Sequence, residues 1–297
     1  LYIDSLPEEI ERIEALIEGI ARNRSIRKIG IISNHLGDAG LSKLGDFFRR
    51  NENLSGVAFA TNNMNIGRER ERDIASLVSQ MRPYSMTNFI LYNSTISNEG
   101  FSEICEALRP QSQIDVFDLQ GSHIGSNGCV TMGNMLSNWH APRLRGLDLS
   151  DTSIDDGGLQ ALVEGMVNCY NMEVVQLSGN RSITAAGLSS LSPFLQSESH
   201  SLETLLLYGI NFGNDGAMIL AEGLRGNKFL KELIFDFETA GMTPIGWSAF
   251  SRLLCDTSTI NTTYLSNHKL TRIGCYENEG SPEGIQRLLT TNASPNA

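Results

Sequence analysis

The stretch Leu144–Met166 reads LRGLDLSDTSIDDGGLQALVEGM. Two others line up with it without a gap: IDVFDLQGSHIGSNGCVTMGNML from Ile114 and LETLLLYGINFGNDGAMILAEGL from Leu202. Each reads L-x-x-L-x-L, then a polar turn, an apolar residue, a Gly, and apolar residues at helical spacing. The first half alternates as a strand does, so Leu147 and Leu149 face a core while Asp148 and Ser150 face away. After Gly158, Leu159, Leu162, Val163 and Met166 fall three and four apart and share one face of a helix.

The unit recurs along the chain. Its first apolar position is Ile26, Leu54, Met86, Ile114, Leu144, Met172, Leu202, Leu230 and Ile260, with steps of 28, 32, 28, 30, 28, 30, 28 and 30. Self-similarity at about 29 residues marks a solenoid, because one such unit cannot bury its apolar face alone. Strands of successive units stack as a parallel sheet, with the helices behind it. A helix is about 10 Å across and strands sit about 4.8 Å apart, so the stack bends with the sheet inside. The expected class is α/β: a horseshoe with a concave parallel sheet and convex helices. Residues 1–280 form one such domain of about nine full units and a partial N-terminal one, and 281–297 form a C-terminal tail.

A polar residue recurs three positions past the last strand leucine: Asn34, Asn62, Ser94, Ser122, Thr152 and Asn180. A side chain there can satisfy backbone groups that the turn leaves unpaired. Ile210, Glu238 and His268 break the pattern, so those turns are built differently. Two irregular stretches, NNMNIGRERERD and FETAGMTPIGW, are expected as surface insertions. Counting back 28 residues from Ile26 puts Leu1 and Ile3 on the second and third strand leucines, with Ile13, Leu16, Ile17 and Ile20 on the helix. The chain is therefore expected to start inside a repeat, as a fragment of something longer.

The spacing and the Gly before a full convex helix resemble the ribonuclease-inhibitor-like class of leucine-rich repeats over roughly residues 1–275. That class also contains the activator of the Ran GTPase and the sensor arrays of intracellular immune receptors. The resemblance implies the horseshoe and a role in binding other proteins. A GTPase-activating protein similar to the Ran activator is the alternative it implies.

Composition narrows the partners. The 297 residues are 40% apolar and 19% charged, enough for a large core, and the formal charge is −11. That balance disfavours a polyphosphate partner, whereas a basic protein would be attracted. No apolar run approaches the roughly 18 residues of a membrane span. Cys105, Cys129, Cys169, Cys255 and Cys275 are odd in number and lack C-x-x-C spacing, which points to a reducing, intracellular and cytoplasmic setting. No basic segment followed by an apolar one marks a leader. The Asn-x-Ser/Thr triplets at Asn23, Asn53, Asn93, Asn180 and Asn261 are read as chance matches in a chain rich in Asn and Ser.

Motifs for chemistry fail on spacing. Asp148–Leu159 has Ser153 where a calcium loop needs Gly and Leu159 where it needs Glu. Gly246-Trp247-Ser248-Ala249-Phe250 lacks the second Gly of a nucleophile elbow and reads as the start of a convex helix. There is no phosphate-binding G-x-x-x-x-G-K-[ST] loop. His35, His123, His140, His200 and His268 have no partner at metal-ligand spacing. Arg68, Arg70 and Arg72, alternating with Glu69, Glu71 and Asp73, read as a solvated loop or helix start, or as a docking knob. No enzyme activity, cofactor or metal is expected.

The outward strand positions carry the functional reading. The central row is Gly30, Ala58, Ile90, Asp118, Asp148, Gln176, Leu206, Ile234 and Tyr264. Two residues further along lie Ile32, Ala60, Tyr92, Gln120, Ser150, Ser178, Tyr208, Asp236 and Ser266. Two acids sit mid-row, flanked by Ile90 with Tyr92 on one side and Leu206, Tyr208, Ile234 and Tyr264 on the other. Aliphatic residues beside Tyr have the make-up of an interface core, unless a terminal segment or neighbouring module covers them. The expected site for a protein partner is Ile90, Tyr92, Asp118, Asp148, Leu206, Tyr208, Ile234 and Tyr264.

Overall fold

Alternating apolar residues followed by a helical stripe build ten short parallel strands interleaved with helices, in one sheet ordered as in the chain. The computed structural model describes residues 2–4, 15, 18–20, 23, 25–32, 37–138, 143–264, 266–275 and 281–294. The strands are β1 (Tyr2–Asp4), β2 (Lys28–Ile32), β3 (Gly56–Asn65), β4 (Asn88–Thr95), β5 (Val116–Asp118), β6 (Gly146–Asp148), β7 (Val174–Gln176), β8 (Thr204–Leu206), β9 (Glu232–Ile234) and β10 (Arg272–Ile273). The described helices are α1 (Gly37–Arg50), α2 (Gly67–Ser79), α3 (Asn98–Leu108), α4 (Gly125–Asn138), α5 (Asp156–Met166), α6 (Ala185–Ser189), α7 (Ser192–Gln196), α8 (Gly213–Gly223), α9 (Phe237–Ala240), α10 (Pro244–Leu254), α11 (Ile260–Tyr264) and α12 (Glu283–Asn292). The fold is an α/β leucine-rich-repeat solenoid.

The repeat register holds from β1 to β9. Ile3 pairs with Ile31, as the count back from Ile26 requires, and Leu147 lies between Phe117 and Val175. Leu147, Leu149, Leu159, Leu162, Val163 and Met166 are all buried. Of the N-terminal helix pattern, Ile20 is buried, while Ile13, Leu16 and Ile17 lie outside the described residues. The four extra residues of the Leu54 unit do not form a surface loop. They extend β3, whose pairing with β4 slips between Ala60 and Met64. The charged run after it is not simply solvated either: in α2, Arg70 is 8% exposed and Glu71 1%.

The last step departs from the expected period. Arg272 pairs with Glu232, forty residues on, so the final unit starts at Leu270 rather than Ile260. Leu270 is fully buried, and Ile260 is 92% exposed. The residues between α10 and β10 hold the extra helix α11, in which Thr262 and Thr263 bond back to the Asp256 carbonyl at 3.2 and 2.9 Å. The segment read as a tail contains α12, whose Ile285 and Leu289 pack into the core.

Polar side chains tie the units together at two levels. At the strand ends, Ser94, Ser122, Thr152 and Asn180 are fully buried. The Asn180 amide donates to the carbonyls of Leu149 (2.7 Å) and Leu177 (2.8 Å), and its oxygen accepts from the Thr152 and Ile154 amides (3.1 and 3.0 Å). Ser122 Oγ donates to Leu91 O (2.7 Å). Asn34 lies outside the described residues, as does the side chain of Asn62. At Ile210 an apolar side chain fills the place, and past β9 Asp236 takes over, accepting from the Gly209 and Thr239 amides, both at 2.8 Å.

The second level lies at the helix starts. The Glu71 carboxylate accepts from the Ser97 amide (2.5 Å) and hydroxyl (2.7 Å). Asp156 does the same for Thr184, both at 2.7 Å. Ser97 and Thr184 are themselves the caps of α3 and α6, accepting from Gly100 N and Ala186 N. At these two junctions the contact also accounts for the Gly of the helix start. A Cβ on Gly100 would sit 2.1 Å from Glu71, and one on Gly187 2.2 Å from Asp156, so only Gly admits the neighbouring carboxylate. Nothing in the L-x-x-L-x-L pattern signals these partners. The cue is an acid three residues before the first apolar helix position, facing Ser or Thr one unit later.

Candidate protein interface on the concave face

The outward row follows from the strand register. Ala58, Ile90, Asp118, Asp148, Gln176, Leu206 and Ile234 are paired in turn across β3 to β9. Most of these strands have three residues, so the second outward position usually falls in the turn. Tyr92 remains on the longer β4, Gln120 is exposed, Ser150 is buried rather than open, and Tyr208 is half-buried.

The N-terminal half of the row forms one patch. Ile90 and Tyr92 are half-buried on β4, and Tyr92 Oη donates to Asp118 Oδ2 at 2.8 Å. Asp118 Oδ1 accepts from the Gln120 amide at 3.0 Å. Burial pushes the Asp118 carboxyl above its ordinary value, and the Asp148 charge beside it adds to the rise, against these two hydrogen bonds. Asp148 Oδ1 in turn accepts from the Ser150 amide at 2.9 Å. An aliphatic side chain, a phenol and two fixed carboxylates thus stand on neighbouring strands. Such a surface can receive donors or cations beside an apolar contact.

The C-terminal half differs from expectation. Leu206 is 7% exposed and Ile234 0%, so neither is offered to a partner. They lie side by side in register, where two aliphatic chains cover each other. Beyond Ile234, the ring of Phe237 fills the place a Cβ on Gly274 would take, so the chain's own side chains close the seam. Tyr264 is not on the sheet at all: it ends α11, inside the stretch that lengthens the last step. Ser266 likewise lies in a turn and is buried. Of the eight expected residues, Ile90, Tyr92, Asp118 and Asp148 come together, and Tyr208 stands apart with its amide bonded to Ser178 Oγ at 3.2 Å.

Sequence reading passed over a second concavity on the convex side. It lies between α5 and the α6–α7 pair, encloses about 830 Å³, and has His200 in its wall. The His200 ring packs at 4.2 Å from Phe194 and 5.8 Å from Tyr170, measured between ring centres.

Comparison with known proteins agrees with this architecture. A leucine-rich-repeat family model matches residues 140–163 and 168–192. The human NACHT, LRR and PYD domains-containing protein 5 is 26% identical over 279 residues, covering 91% of this chain and 21% of that protein. The ribonuclease inhibitor of Sus scrofa is 26% identical over 196 residues, covering 65% of this chain and 42% of its own. The chain thus spans less than half the length of either relative. Among solved structures, the leucine-rich repeat-containing protein LegL7 of Legionella pneumophila superposes with a TM-score of 0.56 at 12% identity, over 99% of this chain and 97% of the other, a likeness of fold. The strand–turn–helix unit, its register and these likenesses make the chain a leucine-rich-repeat solenoid of the ribonuclease-inhibitor-like type.

Proposed function

We propose that the chain is a non-catalytic binding module or scaffold subunit that receives a protein partner on the concave sheet, centred on Ile90, Tyr92, Asp118 and Asp148, with Tyr208 at the far margin. The observation that carries the reading is the Tyr92–Asp118 hydrogen bond. It fixes an aromatic ring and a carboxylate next to the half-open Ile90, and rigid aromatic anchors in a partly desolvated setting are where binding energy concentrates. The two acids and the net charge of −11 favour a partner presenting Arg or Lys. Ribonuclease inhibitor, by its name, acts on another protein, in keeping with this use of the fold.

The test is affinity capture with the wild-type chain, followed by titration of each captured protein against variants. Tyr92→Ala and Tyr208→Ala should each weaken binding by about 2 kcal/mol while leaving the fold intact. Gln160→Ala, on the convex helix α5, should leave the affinity unchanged. Loss with convex variants alone would overturn the concave site. Faster GTP turnover by a small GTPase in the presence of the chain would replace the reading with the GTPase-activating one.

A further inference from the structure

The convex face is regular on either side of one unit. Helices α4, α5 and α8 run unbroken for 14, 11 and 11 residues. The unit between α5 and α8 instead has two pieces of five residues each, α6 and α7, with Pro193 at the start of α7. Proline removes a helix hydrogen bond and clashes with the preceding turn, so the break follows from sequence. The helix is kinked there rather than shortened, and a groove of about 830 Å³ lies between it and α5. That volume is in the range of small-molecule sites, roughly 300–1,000 Å³.

Its lining is chemically one-sided. Val163, Val167 and Phe194 give an apolar floor, and Asp156 and Glu164 stand on the α5 wall. No Lys or Arg is among the lining residues. Glu164 is held by the Gln160 amide at 3.1 Å and forms no ion pair among the described residues. His200 is 5% exposed, and its Nε2 lies 3.1 Å from the Val167 carbonyl. A carbonyl only accepts, so Nε2 carries the proton. Burial holds the imidazole below its ordinary pKa and therefore neutral. Nδ1 is then a buried acceptor with no donor among the described residues. Such a group in a groove wall costs stability until a donor meets it.

We propose that this groove binds a small aromatic ammonium ion. The aromatic body would lie on Val163, Val167 and Phe194, a ring N–H would answer His200, and the ammonium would face Glu164 and Asp156. The site is independent of the concave interface and stands or falls apart from it.

Tryptamine is the probe, and indole-3-propionate, with the same ring and the opposite charge, is its control. Methyl NMR of Val163 and Val167 in the intact chain should show saturable shifts with tryptamine, with a Kd on the order of 1 mM or tighter. Indole-3-propionate should bind about tenfold more weakly. Glu164→Gln, at an exposed position, should shrink that difference to about threefold. Ala186→Trp, which fills the groove from the exposed side of α6, should remove the shifts. The concave variant Tyr208→Ala should leave them unchanged. Absence of saturation, equal binding of the two ions, or shifts that survive both Glu164→Gln and Ala186→Trp in folded protein would overturn the proposal.

Discussion

The two ends of the concave row look alike in sequence and behave oppositely in the structure. Ile90 near one end and Ile234 near the other are outward residues of equivalent strands. Ile90 lies between Ala58 and Asp118 and stays half-open. Ile234 lies against Leu206, with Phe237 leaning over the next strand, and has no exposed surface. Exposure at a periodic position is thus decided by the side chains packed around it, not by the alternation of its strand alone. A small side chain and a carboxylate leave a surface open, whereas two large apolar neighbours turn the same surface into core.

The sharpest test of that contrast is stability. Ile234→Ala should cost about 2–5 kcal/mol, as much as Leu149→Ala in the core, whereas Ile90→Ala should cost less than about 1 kcal/mol. Denaturation midpoints measure all three. Equal losses for Ile90 and Ile234 would mean that the seam around Ile234 opens in solution. Asn180→Ala comes next, at about 2–4 kcal/mol, because it strands the Leu177 carbonyl and the Thr152 and Ile154 amides in a buried turn. Ile210→Asn, at the equivalent apolar turn, should give no compensating gain, since that turn folds without an amide. A calorimetric melt of the two variants would check the pair.

The smallest effect concerns the open end. Burial raises the Asp118 carboxyl above its ordinary 3.8, so ionisation disfavours the fold. The stability that protonation of this group gives is fully present below 3.8 and is lost as pH rises through the higher folded value. Asp118→Asn should therefore raise the unfolding midpoint at pH 7 and leave it unchanged near pH 3. The same substitution should weaken a basic partner. A variant that loses stability at pH 7 would show that the hydrogen bonds from Tyr92 and Gln120 outweigh burial.

The architecture was largely legible because it is periodic. Leu147, Leu149, Leu159 and Leu162 announce their burial by spacing alone, and Ser122, Thr152 and Asn180 recur at a fixed offset. What could not be read was whatever breaks the period or depends on three units at once. Tyr264 fell to the first limit, since a 30-residue step from Leu230 finds an apolar Ile260 that belongs to an inserted helix. Leu206 and Ile234 fell to the second, because outward alternation says nothing of neighbours' bulk. Glu71 was read as solvated for a third reason: besides Arg68 three residues before it, the group that buries it is Ser97, in the following unit.

The fit of Glu71 against Gly100, and of Asp156 against Gly187, gives these joints a direction. The upstream unit supplies a tongue and the downstream unit a notch, and the two cannot be exchanged. A single unit cut from this chain and grafted elsewhere would therefore carry a requirement on both sides: a carboxylate looking for an empty notch ahead, and a notch that must not be filled from behind. Arrays assembled from these units should join only top to tail, and a recombination point should fall outside residues 71–100 and 156–187, where neither joint is cut in two.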